Sequence, residues 1–332
     1  MKKVINIPGQ VVEEMLQGVV LAYPQYLRRV EGYNVLVRAN CPVPGKVALV
    51  GGGGSGHEPS HCGFVGHGML DGAVAGAVFT SPAVSQVYEG IKAVDSGKGV
   101  LLIVQNYIGD IIEFDRAAEL AEADGIKVDK VIVNDDVAAE NTARTSGRRG
   151  IAGTIFVHKI AGAMAETGAD LSEVKRVAKK VIANTRTIGV ALSSCTVPGG
   201  GDAGFVLTEK EMEIGVGIHG EPGTSREEVK PADEIITGLM AKIFADMPLS
   251  AGNQVAVLVN GLGAATLMEL YIINRRVAEL LAQKEIDTVK TYVGNYMTSF
   301  ETAGFSITLL KLDPETKNLL LAAADTPAFV QF

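Results

Sequence analysis

The chain has 332 residues, of which 47% are hydrophobic and 20% charged, and 39 of them are glycine. This length predicts two α/β domains, and this composition excludes a disordered chain. The formal charge of −8 comes from acidic and basic residues mixed along the chain without a basic stripe, which argues against nucleic acid as a partner.

The first part of the chain alternates predicted strands and helices. Apolar spacing predicts a helix over 11–23, strands over 46–50, 99–104 and 130–133, and helices over 83–94 and 111–123 between them. Residues 152–184 are expected to form two more helices. This alternation predicts an N-terminal three-layer α/β/α domain with a largely parallel sheet, over residues 1–185.

The sequence pattern changes after residue 185 to short predicted strands interrupted by glycine and proline. We expect strands over 187–192, 254–260, 305–312 and 319–323, and one long helix over 266–284. Asp313-Pro314 is interpreted as a turn between the last two strands. The pattern predicts a C-terminal two-layer α/β domain with a mixed sheet, over residues 186–332.

The cysteines and apolar runs indicate the compartment. The three cysteines follow no CxxC or disulfide-framework pattern, so we expect reduced thiols. No apolar run follows the first lysines, and none elsewhere approaches the roughly 18 residues of a membrane span. We therefore expect a cytoplasmic protein with no membrane contact.

The first motif is the glycine run 51–56, directly after a predicted strand. We expect a loop in which positive φ values expose several backbone N–H groups to ligand oxygens, the alternative being a tight turn without a ligand. The run also fits G-x-G-x-x-G, with Asp71 as the acid of a dinucleotide site, which would indicate a nicotinamide dehydrogenase. Residues 57–63 do not form the crossover helix that such a site needs, so this match is weak.

His57 and His61 have the spacing of a zinc-binding H-E-x-x-H motif. Pro59 hinders the helix that would aim both rings, and no third ligand is evident. We predict no metal site here.

The second and third motifs carry candidate catalytic groups. Asp110 follows the strand 99–104 and is a candidate base, or alternatively the N-cap of a helix that begins at Ile111. His219 has glycine at positions 217 and 220, which leaves its imidazole accessible. A neutral imidazole can add to an uncrowded carbonyl, and the alternative is a purely structural loop residue.

Together these motifs resemble one family, the DhaK-type dihydroxyacetone kinases, over almost the whole chain. The resemblance rests on GKVAL (45–49), GGGSGHEP (52–59), FTSP (79–82), NY and GD (106–110), GRRG (147–150), CTVP (195–198), the segment 212–223 and TAGFSITLLK (302–311). It implies a homodimer in which His219 binds the ketone of dihydroxyacetone, or of a similar small ketose, as a hemiaminal.

The resemblance also implies roles for the other site residues. His57 and Asp110 would bind or activate the hydroxyl that receives phosphate, and Gly53, Gly54, Ser55 and Gln105 would contact the substrate. The sequence has no G-x-x-x-x-G-K-[ST] phosphate loop. By resemblance, a separate DhaL-type subunit carrying ADP or ATP with magnesium would donate the phosphate, and the phosphotransferase system would recharge its ADP.

Three departures from the family pattern leave a second function open. The family commonly has lysine and threonine where this chain has Gln105 and Ile108, and aspartate where it has Asn40. Loss of the lysine weakens the expected recognition of substrate hydroxyls. The alternative is a ketone-sensing coactivator that keeps His219 but binds a transcriptional regulator.

Overall fold

The first sheet forms the centre of the N-terminal part of the computed structural model, which describes residues 3–138, 145–200 and 204–332. Its strands lie in the order β1 (Leu27–Arg29), β2 (Val35–Arg38), β4 (Gly72–Val78), β3 (Ala48–Ser55), β5 (Val100–Gln105) and β6 (Val128–Val133). Strands β4, β3, β5 and β6 are parallel, while β1 and β2 pair antiparallel at one edge. The prediction of a largely parallel sheet is confirmed.

Helices cover both faces of this sheet. They are α1 (Val11–Ala22), α2 (Val84–Val94), α3 (Ile108–Ala123), α4 (Thr154–Glu166) and α5 (Leu171–Ala183). Val87 of α2 and Phe114 of α3 are buried on one face, with Val50 of β3. The opposite face buries Phe156 of α4 and Val177 of α5. The three predicted layers are therefore present.

A second, mixed sheet begins with β7 (Thr185–Ala191). The order is β11 (Asp287–Gly294), β10 (Gln254–Gly261), β12 (Gly304–Leu312), β7, β8 (Glu211–Ile214) and β9 (Ser225–Glu228), in which only the β10 and β11 pair is parallel among the described strands. Helices α6 (Ala232–Asp246) and α7 (Leu267–Gln283) cover one face, and Leu258 and Leu310 on the other face join the core of the first sheet. The α/β fold with a mixed second sheet is confirmed, and the domain boundary at 185 stays a prediction.

The predicted strand over 319–323 is wrong. Residues Pro314–Leu321 form helix α8, and the chain ends in the short paired strands β13 (Ala324–Thr326) and β14 (Phe329–Gln331). The carboxylate of Asp313 accepts the N–H of Thr316 at 2.9 Å, and Pro314 takes the first helical position. Asp-Pro therefore begins a helix here instead of making a turn. Among the described residues, we find no helix with the length and apolar character of a bilayer span.

Candidate active site

The glycine run is a strand, and the predicted loop is wrong. Strand β3 continues to Ser55 and pairs with β4, so that Gly52 lies opposite Val74. Positive φ first occurs in this run at Gly56, with a φ of 110°. A Cβ atom on Gly52 would lie 2.4 Å from the Val74 carbonyl oxygen, and one on Gly54 would lie 2.6 Å from the Thr80 nitrogen. Glycine is needed at these two positions because neighbouring backbone lies too close for a side chain.

Gly53 faces a small space lined by polar atoms, which we call the Gly53 hollow. A Cβ atom on Gly53 would lie 3.7 Å from His61 Nε2 and 3.8 Å from both Asp110 Oδ2 and Gln105 Oε1. Three of the predicted site residues, Gly53, Gln105 and Asp110, therefore converge here. The Ser55 hydroxyl instead donates to the Gly76 carbonyl at 2.7 Å, so the protein itself uses that donor.

A cavity of about 340 Å³ opens beside the hollow, between segments that follow strands of the first sheet and the segment that joins β8 to β9 of the second. It is lined by Gly54, Phe79, Thr80, Ser81, Tyr107, Ile108, Gly109, Asp110 and His219. His219 and Asp110, which were predicted from separate motifs, thus line the same cavity. The imidazole and the carboxylate can therefore act on one small ligand.

The half-buried His219 ring is surrounded by aromatic rings. Tyr107, His57 and Phe79 all approach it edge-on, with centroid separations of 4.5, 4.7 and 5.5 Å. The backbone N–H of His219 donates to Glu221 Oε2 at 2.8 Å. Aromatic packing and a carboxylate thus restrict both the ring and its backbone.

His57 is buried in its neutral form. Its Nδ1 lies 2.9 Å from the Thr298 carbonyl oxygen, and because a carbonyl only accepts, Nδ1 must carry the proton. Nε2 is then an acceptor, and its ring stacks on Phe79 at 5.1 Å. Burial, with the neighbouring His219 adding to it, lowers the pKa of His57 to about 3.

Asp110 lies in the first turn of α3, whose N-cap is Tyr107, so the N-cap interpretation of Asp110 is wrong. The carboxyl is buried, and this burial raises its pKa to about 6 although a hydrogen bond from Ser81 opposes the shift. A carboxylate with a pKa this close to neutrality is suited to general-base catalysis.

Gln105 presents its oxygen to the Gly53 hollow. Its Nε2 donates to the Gly150 carbonyl at 3.0 Å and lies 3.3 Å from Thr154 Oγ1, so protein groups already occupy the amide nitrogen. The side chain is 2% exposed. Gln105 therefore contributes a neutral hydrogen-bond acceptor, Oε1, to the Gly53 hollow.

The Dak1 domain model matches residues 17–328. The chain belongs to the Dak1 family. This Dak1 chain is 53% identical to the dihydroxyacetone-binding subunit DhaK of a PTS-dependent dihydroxyacetone kinase from Listeria innocua, over 99% of the present chain and 100% of that subunit.

Solved structures agree with the Dak1 fold. The dihydroxyacetone kinase of C. freundii is 37% identical with a TM-score of 0.90, and the match covers 99% of this Dak1 chain and 60% of that kinase chain. A dihydroxyacetone kinase operon co-activator, DhaQ, is also 37% identical with a TM-score of 0.90, covering 96% and 98% of the two chains.

The dinucleotide-binding interpretation of the glycine motif does not fit the Dak1 structure. Asp71 is buried in ion pairs with Lys46 at 2.5 Å and Arg38 at 3.1 Å, so it is not at a ligand site as a dinucleotide-binding acid would be. The two rings of the H-E-x-x-H segment have different neighbours. His57 contacts His219, whereas His61 packs edge-on against the buried His158 at 5.3 Å.

Several residues of the Dak1 site were not assigned a role from the sequence. Phe79, Ser81 and Tyr107 lie in stretches that carry the family resemblance. That resemblance could have identified them as site residues. Glu221 follows His219 within the third motif but has no spacing that indicates a contact with its backbone. Thr298 contributes a carbonyl oxygen, and no side-chain pattern could have identified a backbone group.

Proposed function

We propose that this chain binds dihydroxyacetone, or a similarly small ketose, and presents it for phosphorylation. The observation that carries the proposal is the shared cavity, which both the His219 imidazole and the Asp110 carboxyl line. The names of the relatives support the same substrate class.

In this proposal, His219 binds the substrate covalently. A ring nitrogen donates its electron pair to the ketone carbon, and the carbonyl π pair moves to oxygen. That oxygen takes up a proton while the ring loses the one on its other nitrogen, which leaves a neutral hemiaminal. Glycerol has no carbonyl and cannot form the adduct, so bond formation selects the ketone.

The adduct would hold a terminal hydroxyl ready for transfer. Asp110 would accept the proton of that hydroxyl as the hydroxyl oxygen attacks the γ-phosphorus of ATP on the donor subunit. The bond from that phosphorus to the bridging oxygen would break, and ADP would leave. His57 Nε2 and the Gly53 hollow accept hydrogen bonds from the remaining hydroxyls. A DhaL-type subunit would carry the nucleotide with magnesium, either as ATP or as ADP that the phosphotransferase system recharges to ATP. Two copies of the present chain would form a homodimer.

Ketone-dependent phosphoryl transfer, measured with a purified DhaL-type subunit and its phosphate donor, tests the proposal. Asp110→Asn should abolish turnover. Asp115→Asn is the matched control, because Asp115 lies on the same helix, is half-exposed and pairs with Lys130. Equal turnover in the wild type and Asp110→Asn would refute the role of Asp110.

Calorimetry with dihydroxyacetone tests the adduct separately. His219→Ala should lose the tight binding mode while the fold stays intact, because the ring lines a cavity and is not part of the hydrophobic core. Unchanged affinity in that variant would refute the hemiaminal. Ketone binding that depends on His219, without turnover by any donor subunit, would instead support the coactivator alternative. The kinase is preferred because the kinase subunit is 53% identical and the co-activator 37%.

A further inference from the structure

Two segments that lie far apart in the sequence, GRRG (147–150) and HGEPG (219–223), are in contact. The second belongs to the loop over 215–224 between β8 and β9, which we call the His219 loop. Glu221 uses both carboxylate oxygens there. Oε2 accepts the backbone N–H of His219 at 2.8 Å, and Oε1 accepts Nη1 of Arg149 at 3.2 Å. The peptide that carries the imidazole is thereby connected through one carboxylate to a cation from the N-terminal part of the chain.

Arg149 is itself fixed in place. It is 1% exposed, its Nε donates to Asp136 Oδ2 at 2.7 Å, and its Nη2 donates to the Gly215 carbonyl at 2.6 Å. The guanidinium therefore holds the loop at Gly215 and, through Glu221, at its other end. Asp136 fixes the guanidinium to the segment after β6, so the first sheet sets the position of the His219 loop.

Gly217 leaves the space that this arrangement needs. A Cβ atom on Gly217 would lie 1.8 Å from Glu221 Oε1 and 2.8 Å from Arg149 Nη1. Any side chain at this position would displace the carboxylate. Gly217, two residues before His219, thus leaves space for the Glu221 and Arg149 pair.

We infer that Glu221 and Arg149 are positioning residues that set the ketone affinity of His219, an inference that rests on the function proposed above. Addition to a carbonyl requires the ring nitrogen to lie about 3 Å from the carbon, and small displacements cost large factors in reactivity. Glycines at 215, 217, 220 and 223 give the loop backbone a freedom that would otherwise allow such displacements. The ion pair between the buried Arg149 and the half-buried Glu221 removes this freedom.

A double-mutant cycle tests the inference, with dihydroxyacetone as the titrant in calorimetry. Glu221→Ala should weaken binding by about 10- to 100-fold, the range for loss of a hydrogen bond to a charged group. In the His219→Ala background the same change should have no further effect, because no imidazole remains to be positioned. Equal losses in both backgrounds would overturn the inference.

The cycle separates this inference from the proposed function. If His219→Ala binds the ketone as tightly as the wild type, the hemiaminal itself fails. If His219→Ala loses binding while Glu221→Ala keeps it, only the positioning role fails.

Two further variants distinguish a positioning effect from a simple loss of folding. Glu221→Gln keeps an acceptor for the His219 N–H but loses the charge that faces Arg149, and should recover part of the affinity. Glu213→Ala removes another carboxylate of the same hairpin. Glu213 is buried, accepts the Gly223 N–H at 3.1 Å and pairs with Arg226. The substitution should lower the melting temperature while ketone affinity stays within about twofold. A loss of affinity equal to that of Glu221→Ala would make the effect general to the loop and overturn the inference.

Discussion

The ring of His57 lies edge-on to the ring of His219, with 4.7 Å between centroids and 90° between planes. Because the pKa of His57 is lowered to about 3, its ring stays neutral at physiological pH and adds no charge beside the candidate nucleophile. The Thr298 carbonyl fixes the Nδ1–H tautomer, so Nε2 can only accept. One imidazole is thus suited to bond formation and the other to binding a hydroxyl.

His57→Phe should therefore keep the aromatic packing against Phe79 but lose the acceptor. We expect kcat/KM for dihydroxyacetone to fall by about 10-fold, as for loss of one hydrogen-bond acceptor for a substrate hydroxyl. Steady-state kinetics with the donor subunit measure this, and circular dichroism serves as the check on folding. Wild-type kcat/KM in a folded His57→Phe variant would contradict the assignment.

The pH dependence of turnover should report Asp110. Its pKa is raised to about 6 by burial, and only the ionised carboxylate can accept the hydroxyl proton. Turnover should therefore decrease as the pH falls through 6. The kcat/KM profile between pH 4.5 and 8 measures this limb, after the donor subunit has been shown to be stable over that range. A flat profile would exclude Asp110 as the base.

Asp110→Asn should also stabilise the fold at alkaline pH. The folded pKa of about 6 lies above the ordinary value of 3.8, so the folded state binds more protons between these values and stability falls as pH rises through them. Above pH 6 the buried charge costs about 3 kcal/mol, which asparagine avoids. Urea unfolding at pH 8 should show the gain, and at pH 4 the two proteins should unfold alike. A less stable variant at pH 8 would contradict this account.

The sequence predicted the elements that have strong local signals. The predicted helix over 266–284 and the predicted strand over 99–104 match α7 and β5 to within one residue at each end. The glycine run was wrongly predicted to be a loop, because the need for glycine there arises from contacts with segments distant in the sequence. Gly52 and Gly54 are required by backbone from Val74 and Thr80, and no periodicity reveals such a contact.

The sequence predicted the candidate catalytic residues of the site but not the residues that hold them in place. His219 and Asp110 were identified from their flanking residues, and the cavity contains both. Arg149 lies in GRRG (147–150) and Glu221 in the segment 212–223, yet their contact depends on how the two sheets pack. A charge pair that forms between distant segments has no spacing by which a single sequence could indicate it.

Gln105→Lys should change the electrostatics of the Gly53 hollow. Gln105 Oε1 and Asp110 Oδ2 each lie 3.8 Å from the same point beside Gly53, so an ammonium at position 105 would stabilise the ionised carboxylate. The pKa of Asp110 should fall, and the acid limb of the kcat/KM profile should move below pH 6. The same assay over pH 4.5 to 8 measures the shift, with Gln105→Met as the uncharged control. An unmoved limb in the lysine variant would place the two side chains too far apart to interact.

Neighbouring glycines of the same strand should respond in opposite ways to alanine. Gly52→Ala places a Cβ atom 2.4 Å from the Val74 carbonyl oxygen, whereas Gly53→Ala places it at 3.7 to 3.8 Å from three polar side-chain atoms, an ordinary contact distance. Gly52→Ala should therefore lower the melting temperature and ketone affinity together. Gly53→Ala should leave the melting temperature nearly unchanged but weaken ketone binding, because its methyl group fills the hollow that the substrate hydroxyl needs. Differential scanning calorimetry and titration calorimetry on both variants measure this contrast. Full ketone affinity in a folded Gly53→Ala variant would move the substrate out of the hollow.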